Sequence, residues 1–249
     1  MSETEENGRK DARQLPKRFY KTVRVAERSG GDEVCEWQLL LDARAVRTPG
    51  KALVAVPSQR LAEALAEEWR AQVGRIDPAT MPLTKIVNSA IDGVRGREAE
   101  VAADIVAFAG SDLLCYRAEA PDDLVAMQAV AWDPVIEWAR DAFGARFILA
   151  QGVMPVEQPQ ATLDAFAAEL RDVDALKLCA LHVMTTLTGS ALLALAHARG
   201  VLSAEAAWAA AHVDEDFQIA QWGADEEAAE RREKRWAEFW AARRMWALV

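Results

Sequence analysis

The hydrophobic period of this chain changes once along its length, and that change constrains its architecture more than any other feature. Up to Val56 apolar residues alternate with polar ones. Phe19, Val23 and Val25 lie against Tyr20, Thr22 and Arg24, and Trp37, Leu39 and Leu41 share one face of the stretch from Val34 to Leu41. Period two is the signature of strands with one buried face. Ser29-Gly30-Gly31-Asp32, Asp42-Ala43-Arg44 and Thr48-Pro49-Gly50-Lys51 supply turns, and Ala52 to Val56 reads as a last short strand. Such a meander must cover its apolar face. The cover is expected from the helix after Pro57, with Ser58 as N-cap and Leu61, Leu65 and Trp69 spaced four apart before Gly74.

From Thr84 onward the period is helical and alanine is abundant. Helices are expected near 85–92, 96–109, 122–142, 160–171, 174–198, 203–221 and 224–246, with short extended pieces at 113–117 and 146–150. Asp133-Pro134 is expected to open a new helix, aspartate capping and proline at the first position. The expected fold class is therefore α+β. Residues 15–82 form a small α+β domain, a β-meander covered by a helix, and residues 83–249 form a larger, mainly helical domain. Residues 1–14, rich in Glu, Lys and Arg, are expected to be a disordered tail.

With 249 residues the chain can bury a substantial core. Its formal charge of -10 argues against nucleic acid and anionic membranes as partners, because both select clustered cations. Cys35, Cys115 and Cys179 are far apart and form no Cys-x-x-Cys pair, so neither a disulfide framework nor a thiolate zinc site is indicated. No apolar run approaches the ~20 residues of a membrane span. The first residues lack the apolar region of a secretory signal, and a reducing cytoplasm is the expected compartment.

Catalytic motifs are sparse. His182, His197 and His212 have no second histidine within four residues, and each reads as a structural histidine rather than a metal ligand. Thr188-Gly189-Ser190 lacks the Gly-x-Ser-x-Gly pattern of a nucleophile elbow and reads as a junction between helices. Cys179 and His182 share a helical face but have no orienting third group. Pro49-Gly50-Lys51 lacks the leading glycine and trailing Ser/Thr of a phosphate loop. No cofactor or metal is expected. Trp236, Phe239 and Trp240 fit the spacing of a core stripe edged by arginines, with an aromatic and Arg-rich contact patch as the other reading.

The stretch Asp214 to Glu227 is the richest in polar function. Read as one helix, it puts Glu215 and Glu226 on a face with Ile219 and Trp222, ~16 Å apart. Paired carboxylates acting on a glycosidic bond stand roughly 5 to 9.5 Å apart. Asp214, Glu215 and Asp216 splay about 100° around the axis and cannot converge by themselves. Val213, Phe217, Ala220 and Ala224 form the apolar face. The pattern suits a binding surface better than a catalytic centre. An enzyme whose Asp92, Asp112 and Glu215 meet in an interdomain cleft remains the alternative.

Several motifs then carry a resemblance. Arg18-Phe19-Tyr20-Lys21, the Leu41-Asp42-Ala43-Arg44 turn with Thr48-Pro49, Glu68-Trp69, and Met81-Pro82-Leu83-Thr84 are four of them. Asp112-Leu113-Leu114-Cys115-Tyr116-Arg117, Gln128 with Trp132-Asp133-Pro134, and Asp214-Glu215, Gln218, Trp222-Gly223 and Glu226 complete the set. Together they resemble the family of assembly chaperones for the F-type ATP synthase, from about residue 16 to the C-terminus. The resemblance implies a non-enzymatic chaperone that binds the unassembled alpha subunit transiently until it pairs with beta. It implies a partner-binding motif at Glu215, Gln218, Trp222 and Glu226. A monomer in the bacterial cytoplasm is expected, since mitochondrial members carry a transit peptide. One departure is Ala43, where the family commonly has glycine.

Overall fold

Strand pairing at the N-terminal end follows the period-two pattern, and a computed structural model describes residues 15–29, 35–152 and 156–249. Strand β1 (Val23–Ser29) pairs antiparallel with β2 (Cys35–Leu41), Val23 opposite Leu41 and Ser29 opposite Cys35. The far edge of β2 takes two short antiparallel partners, β3 (Arg44–Ala45) and β4 (Ala55–Val56). The expected turn at 30–32, the first residue of the second expected strand, Val34, and the expected tail all lie outside the described residues.

Between β2 and β3 the loop is two residues long. Asp42 and Ala43 have φ of 47° and 70°, so both central positions are left-handed, as a type I′ hairpin requires. Asp42 is well suited: its carboxylate accepts from the Thr22 N–H (2.8 Å), the Lys21 N–H (2.9 Å) and the Thr22 hydroxyl (3.0 Å). These bonds, the Thr22 amide foremost, hold its carboxyl below the ordinary range. Ala43 holds the second left-handed position without being glycine, and its Cβ bears the steric cost.

Helix α1 (Gln59–Ala71) covers the sheet as expected. Ser58 accepts from the Leu61 N–H, and Leu61 and Leu65 are buried as the helix packs on β1 and β2. The alternation before β1 is shifted by one residue from the expectation: Phe19 is exposed and Tyr20 is buried. The reason is tertiary. The Tyr20 hydroxyl donates to the Trp69 carbonyl at 2.6 Å, and the two rings meet edge to face. Helix α2 (Pro82–Ser89) begins three residues earlier than the period suggested. Pro82 occupies its first position, and Glu68 reaches over to accept from the Leu83 and Thr84 N–H groups at 2.8 and 2.7 Å. Asp92 accepts from the Thr48 hydroxyl (2.6 Å) and the Gly50 N–H (2.8 Å). The Pro49–Lys51 turn thus directs its free amide at a carboxylate of the chain itself. Contacts gather this sheet and its helices into one compact unit that reaches Asp92.

The second unit, Gly93–Ala247, is helical. It contains α3 (Glu98–Gly110), β5 (Tyr116–Arg117), α4 (Asp122–Phe143), β6 (Ala150–Gln151), α5 (Gln160–Ala168) and α6 (Ala175–Thr188). Then come α7 (Ala191–Ala198), α8 (Ala204–Ala211), α9 (Val213–Trp222) and α10 (Glu226–Leu248). The two expected extended pieces meet, β5 pairing parallel with β6. Together the sheet-bearing first unit and the larger helical second unit make the fold α+β.

Three expected helices are corrected. The helix expected over 174–198 is two, α6 and α7, broken at Gly189 with Ser190 capping the Leu193 N–H. The helix expected over 203–221 is also two, because His212 leaves helical geometry at φ -120° and ψ 19°. Conversely, Pro134 does not open a helix: it lies inside α4. Asp133 receives the Arg117 guanidinium at 2.7 Å instead of capping. Proline leaves the carbonyl four residues earlier without its helical donor. That residue is Val130, 80% exposed, where water can replace the bond.

Helix α7 explains much of the remaining order. Its residues Ala191 to Ala196 are all buried, so its first N–H groups cannot reach water. Asp112, wholly buried, supplies the acceptor: it takes the Ser190 hydroxyl (2.7 Å), the Leu192 N–H (3.0 Å) and the Leu114 N–H (3.1 Å). Burial nonetheless raises its carboxyl to about 6. A folded value above the unfolded one means that protonation favours the fold. That contribution is full below about pH 4 and lost as pH rises through about 6.

Two predictions follow from these positions. Ala43→Gly should raise the unfolding free energy by about 1 kcal/mol in urea titration, since glycine removes the left-handed cost; no gain would contradict the turn assignment. Relative to Asp112→Asn, the wild-type chain should lose about 3 kcal/mol of stability between pH 4 and pH 7. A difference that does not vary with pH would contradict the burial of that carboxylate.

Candidate partner-binding site

Three consecutive acids open α9, and the fold sends each in its own direction. Asp214 turns inward and accepts from the Gln128 side-chain amide at 2.7 Å; Gln128, itself buried, also accepts from the Ala118 N–H at 2.8 Å. Asp216 takes both guanidinium nitrogens of Arg232 on α10. Glu215, between them, remains 41% exposed, with Arg232 and His212 each 3.9 Å away. The splay expected from helical geometry is thus realised, and each direction has a different use.

His212 does not neutralise Glu215. Its Nδ1 faces the Trp208 carbonyl oxygen at 2.7 Å, an acceptor only, so that nitrogen carries the proton. Burial, the largest cause, holds the imidazole below its ordinary value, so it is uncharged at neutral pH and turns its Nε2 lone pair toward Glu215. The cation near Glu215 is Arg232, which is already committed to Asp216.

The reading of 214–227 as one helix is corrected, and the chain breaks at the boundary expected between the helices near 203–221 and 224–246. Helix α9 ends at Trp222, and Gly223 takes φ 87° and ψ 165°, a region open in practice to glycine alone. Asp225 then caps α10, its carboxylate accepting from the Ala228 N–H at 2.7 Å. Glu226 and Glu227 occupy the first turn of α10, where the helix dipole favours them. The apolar face is also shorter than expected: Val213 is buried, while Ala220 and Ala224 are exposed.

The break builds a hollow of about 390 Å³ between the two helices. Glu215, Gln218, Ile219 and Trp222 line it from α9; Ala228 and Arg232 line it from α10. Its volume is within the roughly 300–1,000 Å³ of ligand and side-chain pockets. Trp222 stands at the hollow with 89% of its surface in water. Of the four residues singled out in the sequence, the structure brings Glu215, Gln218 and Trp222 around one hollow, while Glu226 starts the next helix and does not line it. Arg232 was not singled out. Its spacing of four from Ala228 would place it on that face, but its pairing with α9 is a tertiary fact.

Other candidates resolve into scaffold. Phe239 is fully buried, with Trp208 and Trp236 at ring distances of 5.4 and 5.7 Å, so the core-stripe reading holds for the inner part of α10. Trp240 lies at the surface with Arg243 over its ring. His182 pairs with Asp104, and His197 with the Leu202 carbonyl. Burial pushes the Cys179 thiol up to about 11, which removes it as a thiolate nucleophile at neutral pH. Asp92 and Asp112, members of the alternative enzyme site, are each engaged in the turn and helix-cap bonds described above. Among the described residues no group of three or more His, Cys, Asp or Glu could hold a metal ion. No helix among them is long and apolar enough to cross a membrane.

Comparison with known proteins points in one direction. The family model described as ATP12 chaperone protein matches residues 17–140. Protein atp12, mitochondrial, of Schizosaccharomyces pombe is 24% identical over 226 residues, covering 86% of this chain and 76% of that one. Atp12 from Paracoccus denitrificans has a crystal structure similar to this one at a TM-score of 0.85 and 42% identity, covering 94% of this chain and 98% of that one. A crystal structure from Agrobacterium tumefaciens matches at a TM-score of 0.89 and 48% identity, covering 94% and 86%.

The α9–α10 junction generates its own test. Gly223→Ala should lower the unfolding free energy by about 1–3 kcal/mol, although no atom lies within 4 Å of the added methyl. Unchanged stability in urea titration would mean that the junction does not depend on the glycine-only backbone.

Proposed function

The chain belongs to the ATP12 chaperone protein family, and on that premise we propose that it assists assembly of the F-type ATP synthase by shielding the unassembled alpha subunit until beta replaces it. The client-binding face is the exposed end of α9 and the start of α10: Glu215, Gln218, Trp222 and Glu226. The observation that carries this reading is Trp222, a large aromatic 89% exposed beside a formed hollow with a charged carboxylate next to it. A monomer does not leave so large a ring in water without cost, and tryptophan is enriched among residues that dominate interfaces.

The physical logic is one of competing affinities. An unassembled subunit exposes surface that its neighbour normally covers, and such surface aggregates. A few anchoring side chains can cover it while the polar surround keeps the complex reversible. The acidic charge of the face speeds encounter more than it deepens binding. No bond is made or broken in this role. It needs neither cofactor nor metal, and a monomer in the bacterial cytoplasm can perform it.

Calorimetric titration with separately produced alpha subunit tests the reading, with beta subunit as control. Saturable binding to alpha alone is expected, reversed by added beta. Trp222→Ala should weaken it by about 2 kcal/mol or more, roughly thirtyfold, and Glu215→Lys should slow association and flatten its salt dependence. Equal binding by wild type and both variants would show that the client contacts another surface.

A further inference from the structure

Helix α4 has two apolar faces. One, with Trp132, Val135 and Ala139, is buried in the second unit. The other, with Met127, Val130 and Pro134, faces water; Val130 is 80% exposed and Met127 41%. Across from it, Leu202 and the exposed Ala206 and Ala209 form the opposite wall, and the space between is a groove of about 680 Å³. Each wall repeats at intervals of three or four residues, as one face of a helix does.

The rim of this groove has one sign of charge. Asp123 lies one turn before Met127, Glu137 lies three residues after Pro134, and both are exposed. Asp216 lines the groove itself and is paired with Arg232. Helices α4, α8 and α9 together contain nine carboxylates and one guanidinium, Arg140, which is paired with its neighbour Asp141. The walls are helices whose backbone groups are bonded internally, so they offer no strand edge. A segment lying here must satisfy its own backbone hydrogen bonds.

We propose that this groove receives an amphipathic α-helix of a partner protein, its apolar side on Met127, Val130 and Ala206 and its flanks carrying lysine or arginine toward Asp123 and Glu137. The exposed wall from Met127 to Pro134 is about 10 Å long, enough for two turns, so the anchors of the incoming helix would be spaced i, i+3 or i+4, and i+7. Anionic membrane surface is disfavoured by the same carboxylates. The inference shares with the preceding proposal only the chaperone role. The ligand chemistry is read from the groove, which lies against α9 but is lined by different residues from the Trp222 hollow.

The test uses the full chain and a fluorescent synthetic helix of roughly five turns, with leucine at the anchor spacing and lysine on its flanks. A second peptide has the same leucines and glutamate flanks. By fluorescence anisotropy the lysine peptide should bind about tenfold or more tighter at low salt, with the difference shrinking as salt rises. Val130→Arg should weaken it by about tenfold or more, at an exposed position where folding is retained, while Trp222→Ala should not. Equal affinity for the two peptides, or an unaffected Val130→Arg variant, would overturn the proposal. So would a dimer in light scattering that Val130→Arg dissociates, since the groove would then belong to a second copy of the chain. Because no alpha subunit enters this assay, failure of alpha binding and failure of the groove are separate results.

Discussion

The helical unit depends on how one buried helix start is satisfied. Helix α7 is surrounded by protein, so the N–H groups of its first turn have no access to water, and a domain built around it must supply acceptors from within. Ser190 meets one of those donors and the Asp112 carboxylate, from a segment 80 residues distant, meets another. The helix dipole makes an anion favourable there, while burial raises the cost of that charge. The competition leaves the carboxyl raised but still ionised at neutral pH. Removing the acceptor would leave buried donors unpaired, a larger penalty than the modest net worth of each bond.

Similar long-range polar ties account for most of the family motifs. In the first unit Tyr20 donates to the Trp69 carbonyl, Glu68 caps the helix that starts at Pro82, and Asp42 ties its hairpin to the start of β1. In the second, Arg117 packs over the Trp132 ring and pairs with Asp133, Trp132 donates to the Ala210 carbonyl, and Gln128 bridges Ala118 to Asp214. Each of these residues ties its segment to specific groups elsewhere in its own unit. They are scaffold, and in the second unit Gln128 and Trp132 fix the entry to α9.

The face proposed for the client is set by the end of that helix. Gln128 draws Asp214 in, Arg232 draws Asp216 toward α10, and Glu215 is left outward by geometry. Gly223 then reverses the chain, so that the surface beyond Trp222 comes from a different helix. The outcome is an exposed aromatic ring and a carboxylate beside a hollow.

The sequence by itself determined the order of strands and helices, the α+β class, the Ser58 cap, the small-residue junction at 188–190 and the outward position of Trp222. All follow from local period, capping and turn chemistry, which act within a few residues. It could not determine that Tyr20 rather than Phe19 faces inward, that Pro134 continues a helix, or that the chain breaks at His212. Nor could it show that Glu226 leaves the face of Glu215 while Arg232 joins it. Three of those outcomes go with a partner distant in sequence: the Trp69 carbonyl for Tyr20, the Arg117 guanidinium beside Pro134 and the Asp216 carboxylate for Arg232. Local propensities differ by about 1 kcal/mol or less per residue, so a single buried hydrogen bond or packed ring can override them, and only the folded chain specifies where those contacts occur.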